Sequence, residues 1–325
     1  MPQITKRAHS STDTREGRFD SSARSPARIG QIVLGLFWCI DGLLKLHPYF
    51  FHHFVSAVIE PSATGQPAVI GHPITWIASA IRPHQALFVI AGVLTEVSIG
   101  IGLMVRRTVK PALLVSFAWA LSVWLTGEGL GGLFTGTPDP LTGILGTAPL
   151  YIFAGLLVWP RQRSDSGPGF GLLGERPARA LWAGLWLAAA VLWLFPANAA
   201  ANAVSAAFTG APAGAGWLTS LHSDAARAVG GSGATLALVL AVVSAEIGLS
   251  VLLGRATRTA LAVSIAVSLA FWVLAEGFGG VFTGQATDVG TGPLMVLIAT
   301  QLLLLAPNPA RVTRTQPQPL HATQP

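Results

Sequence analysis

The chain has 325 residues, of which 51% are hydrophobic and only 10% are charged, against roughly a quarter charged in soluble domains. A soluble fold cannot hide that much apolar surface, so most of the chain is expected in lipid. The net charge of +6 does not mark a nucleic-acid binder, because the basic residues fall at membrane-flanking turns, and the single Cys39 excludes an intrachain disulfide or a paired-thiol relay.

Residues 1–28 are polar and rich in Ser and Arg, which predicts a disordered cytoplasmic tail. The apolar run that follows ends in HPYFF instead of a small-residue cleavage site, so a cleaved signal peptide is not expected. Eight segments are long and apolar enough for a bilayer about 30 Å thick: 29–46, 85–105, 109–127, 140–159, 180–196, 233–254, 259–276 and 289–306. Between the first two, Phe50, Phe51, Phe54, Val55, Val58 and Ile59 recur at helical spacing, followed by Trp76, Ile77 and Ile81. Such a stretch lies in the headgroup plane or caps the bundle. A weaker version surrounds Trp217, Leu218 and Leu221 in the outer stretch 197–232. Residues 161–178, rich in Gly, Pro and charge, read as a cytoplasmic linker, and 307–325 as a second disordered tail.

The nine residues Glu128–Gly136 (EGLGGLFTG) return 148 positions later as Glu276–Gly284 (EGFGGVFTG), with seven of the nine identical. Other pairs keep the offset: Trp38 with Trp186, Arg107 with Arg255, Ser116 with Ser264, Trp124 with Trp272. The expectation is an all-α membrane protein with eight transmembrane helices, arranged as two parallel four-helix-bundle repeats over 29–160 and 179–306. Seventeen of the 20 Lys and Arg fall on the N-terminal side of this topology, leaving only Lys45, Arg82 and Arg227. That asymmetry predicts that both termini lie in the cytoplasm.

Ionisable residues inside lipid are costly and mark candidate sites. Glu96 stands ten residues before Arg106, about 15 Å along a helix, and so near mid-membrane; Glu246 stands nine before Arg255. Two readings stay open for them: a proton or cation relay or headgroup ligand, or protonated carboxyls hydrogen-bonded between helices. Asp41 and Lys45 share one face of the first segment at a spacing that suits a helical ion pair, or they form a polar pocket with Glu96. Both are replaced in the second copy, by Ala189 and Trp193. Glu128 and Glu276 open the two glycine-rich stretches, either as a pair facing an outer vestibule, aided by Asp139 and Asp288, or as parts of tight interhelical turns. His47, His52, His53, His72 and His84 gather in or beside the first outer stretch without metal-site spacing, and no catalytic acid–base–nucleophile set emerges.

The first segment, GLFWCIDGLLKLHP, resembles the opening helix of DoxX-like membrane proteins, with spaced glycines and a Lys near its outer end. TEVSIGIGLMVRRTVKPA and SAEIGLSVLLGRATRTA resemble that family's glutamate, glycine and basic-turn pattern. The resemblance implies a tandem, fused pair of four-helix units. It further implies a non-catalytic or quinone-associated subunit of a membrane redox complex, with an oxidoreductase as partner. A transporter rocking about Glu96 and Glu246, and a membrane scaffold without ligand, are the competing expectations.

Overall fold

The computed structural model describes residues 25–136, 138–160 and 170–305, and every regular element in them is helical. The expected tails, apart from residues 25–28, and the linker up to residue 169 lie outside the described residues. Ser25 accepts the Arg28 amide and Pro26 takes the first helical position, a start signal that opens α1, Pro26–Leu44. Its small residues bring it against α5: a Cβ added to Gly35 would stand 2.6 Å from the Gly100 carbonyl oxygen. Between them lie α2 (Pro48–Phe54), a π-helical turn over Val55–Ile59, α3 (Glu60–Ala63) and α4 (Ala68–Ile81), leading into α5, Gln85–Met104. Then come α6 (Val109–Thr126) and α7 (Ala148–Leu157).

The C-terminal half has a similar succession, with two helices where the first half has α2, the π-helical turn, α3 and α4. It holds α8 (Glu175–Trp193), α9 (Ala203–Gly210), α10 (Gly216–Val229), α11 (Gly233–Leu253), α12 (Thr257–Leu274) and α13 (Thr291–Leu305). A helix therefore stands on each of the eight expected segments. Among the described residues, five stretches are long and apolar enough to cross a membrane: Pro26–Leu44, Ala68–Met104, Val109–Thr126, Gly233–Leu253 and Thr257–Thr283. Large apolar side chains such as Leu43, Leu94, Leu114, Leu238 and Leu253 stand exposed on these helices, which suits a bilayer and not water. α8 falls short because Glu175, Arg176 and Arg179 occupy its first turns.

The fourth expected segment, 140–159, is corrected most. Only Ala148–Leu157 is helical, about 15 Å of rise. Pro140 cannot donate to a helix, and Gly143 and Gly146 take φ of 92° and 84°. Irregular backbone follows in place of the first turns. Its counterpart is closer to expectation, with α13 at 15 residues.

One buried core joins both halves, including Leu34 and Trp38 of α1, Leu113 of α6, Leu157 of α7, Trp182 and Trp186 of α8, Leu261 of α12 and Leu294 of α13. The outer stretch 47–84 caps the bundle: Phe50, Phe54, Val55, Ile59 and Ile74 pack on Val89 and Val93 of α5. The histidines of that stretch are all exposed.

Each glycine-rich stretch makes a left-handed turn. Gly129, Leu130, Gly131 and Gly132 have φ of 53°, 57°, 64° and 70°; Gly277, Phe278, Gly279 and Gly280 have 54°, 59°, 67° and 72°. Four successive residues in this region are open almost only to glycine, and the one non-glycine in each costs roughly 1–2 kcal/mol. Space demands glycine as well, since a Cβ on Gly131 would stand 2.5 Å from the Leu145 backbone and one on Gly279 2.7 Å from Val289.

Candidate functional site

The glutamate that opens each turn reaches forward to the next helix. Glu128 Oε1 accepts the amides of Thr147 (3.1 Å) and Ala148 (2.9 Å) at the start of α7. Glu276 Oε2 accepts the Thr291 amide (2.8 Å) at the start of α13, and its other oxygen accepts the Thr291 hydroxyl. A carboxylate on the free amides of a helix start is the favourable placement. Trp124 Nε1 donates to the Leu145 carbonyl (2.7 Å) and Trp272 Nε1 to that of Val289 (2.8 Å), tying down each connecting loop. Glu128 and Glu276 thus each cap the start of a separate helix. Desolvation, with the Asp288 carboxylate as the second cause, pushes Glu128 up to about 7 from 4.5, against the opposing amide bonds.

The other four sequence candidates divide three to one. Lys45 Nζ, at the end of α1, donates to both carboxylate oxygens of Glu96 on α5 (2.8 and 3.0 Å) and to the Thr287 carbonyl of the C-terminal half (2.6 Å). Glu96 also accepts the indole N–H of Trp119 on α6 (3.0 Å) and is 1% exposed. Asp41 is 2% exposed; its Oδ2 accepts the Tyr151 hydroxyl of α7 and its Oδ1 the Val289 amide (3.1 Å). The helical Asp41–Lys45 ion pair that the spacing suggests is not made: Lys45 turns to Glu96, and touches Asp41 only through its backbone carbonyl, at 3.4 Å. The pocket reading is the one that the geometry matches, with every carboxylate oxygen of Asp41 and Glu96 engaged.

Glu246 stands apart. It is exposed on α11, while Ser244, the residue 148 positions on from Glu96, is buried. Two residues along a helix are about 200° of rotation, so Glu246 faces away from the position that Glu96 occupies. No paired-glutamate site forms.

The polar cluster lines one end of a cavity of about 350 Å³. Most of its remaining wall is apolar, from Phe54, Val58 and Ile59 of the capping stretch, Ile77 and Ile81 of α4, and Phe88 and Val89 of α5, with Ser122 and Thr126 of α6 and Glu128 beside them. Thr287 and Asp288 close it on the side of the C-terminal half. The size falls in the ordinary range for small-molecule sites, roughly 300–1,000 Å³.

Comparing the halves separates what the fold needs from what it does not. The capping glutamates, glycine turns and tethering tryptophans occur in both. The positions 148 on from Asp41, Lys45, Glu96 and Trp119 hold Ala189, Trp193, Ser244 and Val267. The C-terminal connection is four residues shorter, 15 positions from Glu276 to Thr291 against 19 from Glu128 to Thr147, so Tyr151 corresponds to Met295. All five polar members are therefore absent together, and Trp193, 1% exposed, fills the space with Val204 and Phe208. Tyr151 and Trp119 escaped the sequence reading; a position-by-position comparison of the two halves carries the signal for them.

A second cavity, of about 430 Å³, lies at the opposite helix ends between Arg179, Gly254, Thr257 and Arg258. Arg179 is committed there to the Val251 carbonyl (2.6 and 2.8 Å) and to Glu175. Comparison of the chain with protein-family models, with curated proteins and with solved structures returns no match.

Proposed function

We propose that this chain is a multi-pass protein of the bacterial inner membrane, built from two tandem four-helix units of the same orientation with both termini cytoplasmic. We further propose that its first unit holds the headgroup of a quinone-type amphiphile, as a non-catalytic subunit of a membrane redox complex. The observation that carries the ligand reading is the five-residue polar cluster on the wall of a largely apolar cavity, in one half only. A fold requirement would have kept it in both. An apolar ring bearing acceptor oxygens suits these walls: Phe54, Phe88, Ile77 and Ile81 for the ring, and the Lys45 ammonium as donor. The resemblance to DoxX-like proteins supports the redox setting, and the basic turns support the orientation.

Native mass spectrometry of the protein released from nanodiscs, purified gently from its host, tests this. A bound quinone, or an oxidoreductase subunit at fixed stoichiometry, is the expected result, lost in Lys45→Met and Glu96→Gln. A homo-oligomer carrying bulk lipid alone would sink it and leave the scaffold reading.

Transport is the second reading, favoured by one observation: Lys45 and Asp41 bond the loop of the other half, so their charge state bears on how the halves meet. It differs from the sequence-level form in resting on Glu96 alone. Flux in proteoliposomes would then fall in Glu96→Gln and persist in Glu246→Gln.

A further inference from the structure

Each of the two connecting loops packs on the first helix of the other half, and the two seams differ in chemistry. On one side Ile144 and Leu145 pack against Ala189 and Leu192 of α8, while Leu141 joins the buried cluster of Trp193. That seam is apolar. On the other side the corresponding residues are Thr287, Asp288 and Val289, and they meet α1 through polar bonds. Lys45 Nζ donates to the Thr287 carbonyl, and the Val289 amide to Asp41 Oδ1. The Thr147 hydroxyl reaches Asp288 at 3.4 Å.

Glycines in the left-handed region bound the polar loop, Gly284 with φ 71° and Gly290 with φ 85°. Its far end is fixed by the Trp272 bond to Val289. Gln285 is exposed, Thr287 and Asp288 are half-buried, and the small Ala286 between them is buried at 6%, so the middle of the loop is held through polar bonds and one methyl side chain rather than through large apolar groups. Thr287 and Asp288 are also cavity wall beside Lys45 and Asp41, so displacing them would alter access to the polar cluster.

We infer that residues 285–289 form a gate over the cavity, latched by the Lys45–Glu96 pair and by Asp41, and hinged at its two flanking glycines. The apolar loop 141–145 is its permanently closed counterpart. Lys45 is the keystone: one ammonium holds Glu96 and Thr287 together, so a ligand or ion that takes Lys45 from Glu96 also loosens the gate. A buried ion pair contributes little net stability but responds strongly to loss of either charge, which makes the polar seam switchable and the apolar one not.

Hydrogen–deuterium exchange of the full chain in nanodiscs, read by mass spectrometry, tests the gate without any ligand. Its failure is therefore distinct from failure of the quinone reading. In the charge-free Lys45→Met/Glu96→Gln variant, amides of 284–290 should exchange about tenfold faster than in the parent while those of 140–146 do not change. Unchanged exchange in 284–290, or an equal rise in both loops, overturns the inference. A second measurement leaves the cluster intact: a short bismaleimide bridge between Leu46→Cys and Gln285→Cys, in a Cys39→Ala background. Bridging should slow exchange of 284–290 below the unbridged rate; no change would mean that the gate does not open.

Discussion

Lys45 is the only cation among the residues that line the 350 Å³ cavity, against the carboxyl groups of Asp41, Glu96, Glu128 and Asp288. Its side chain is 12% exposed and that of Glu96 2%, so neither charge has water to fall back on. Removing one partner of such a pair strands the other, at a cost of about 3–5 kcal/mol. Lys45→Met should therefore lower the melting temperature of the chain in nanodiscs markedly. Adding Glu96→Gln should recover much of the loss, because the two residues are coupled. Glu246→Gln, at an exposed position without such a partner set, should stay within about 0.5 kcal/mol of the parent. A Lys45→Met chain that melts like the parent would show that the pair does not act as a unit.

At the scale of elements, the repeated nine residues are a device for joining a long helix to a short one. The left-handed turn reverses the chain, its glutamate occupies the free amides of the next helix, and a tryptophan one turn earlier fastens the loop. Burial makes the capping carboxyl of Glu128 hold its proton up to about pH 7, above its ordinary 4.5. The folded chain then binds more protons than the unfolded one between these values. Stability is full below about 4.5 and falls as pH rises towards 7. Thermal unfolding at pH 5 and pH 8 should show the native chain less stable at pH 8, with the difference reduced in Glu128→Gln. An equal difference in that variant would assign the pH dependence to other groups.

For the whole molecule, two halves share one core but not one surface chemistry. The shared elements are the capping glutamates, glycine turns and tethering tryptophans; the unshared ones place a polar cluster, a cavity and a charged seam on one side. The proposed topology has a direct check. Single cysteines introduced at Gln285 and at Arg107, in a Cys39→Ala background, should react with an impermeant maleimide from opposite sides of the membrane, Gln285 from outside. Labelling of both from one side would refute the eight-helix arrangement.

Hydrophobic runs and the 148-residue offset already pointed to the helical class, to where most of the long apolar helices stand and to the pairing of the glycine turns, because an apolar surrounding imposes length and apolarity directly on the sequence. Asp41, Lys45 and Glu96 were legible as candidates for the same reason: charges are conspicuous in apolar segments. Glu246 was equally conspicuous and fell outside the cluster, since helix register and not mere presence decides which face a residue takes. The broken fourth segment, the contributions of Tyr151 and Trp119, and the reach of Lys45 to Thr287 needed the tertiary structure. These contacts join residues 23 to 242 positions apart, and no local spacing encodes which of two partners a flexible lysine will choose.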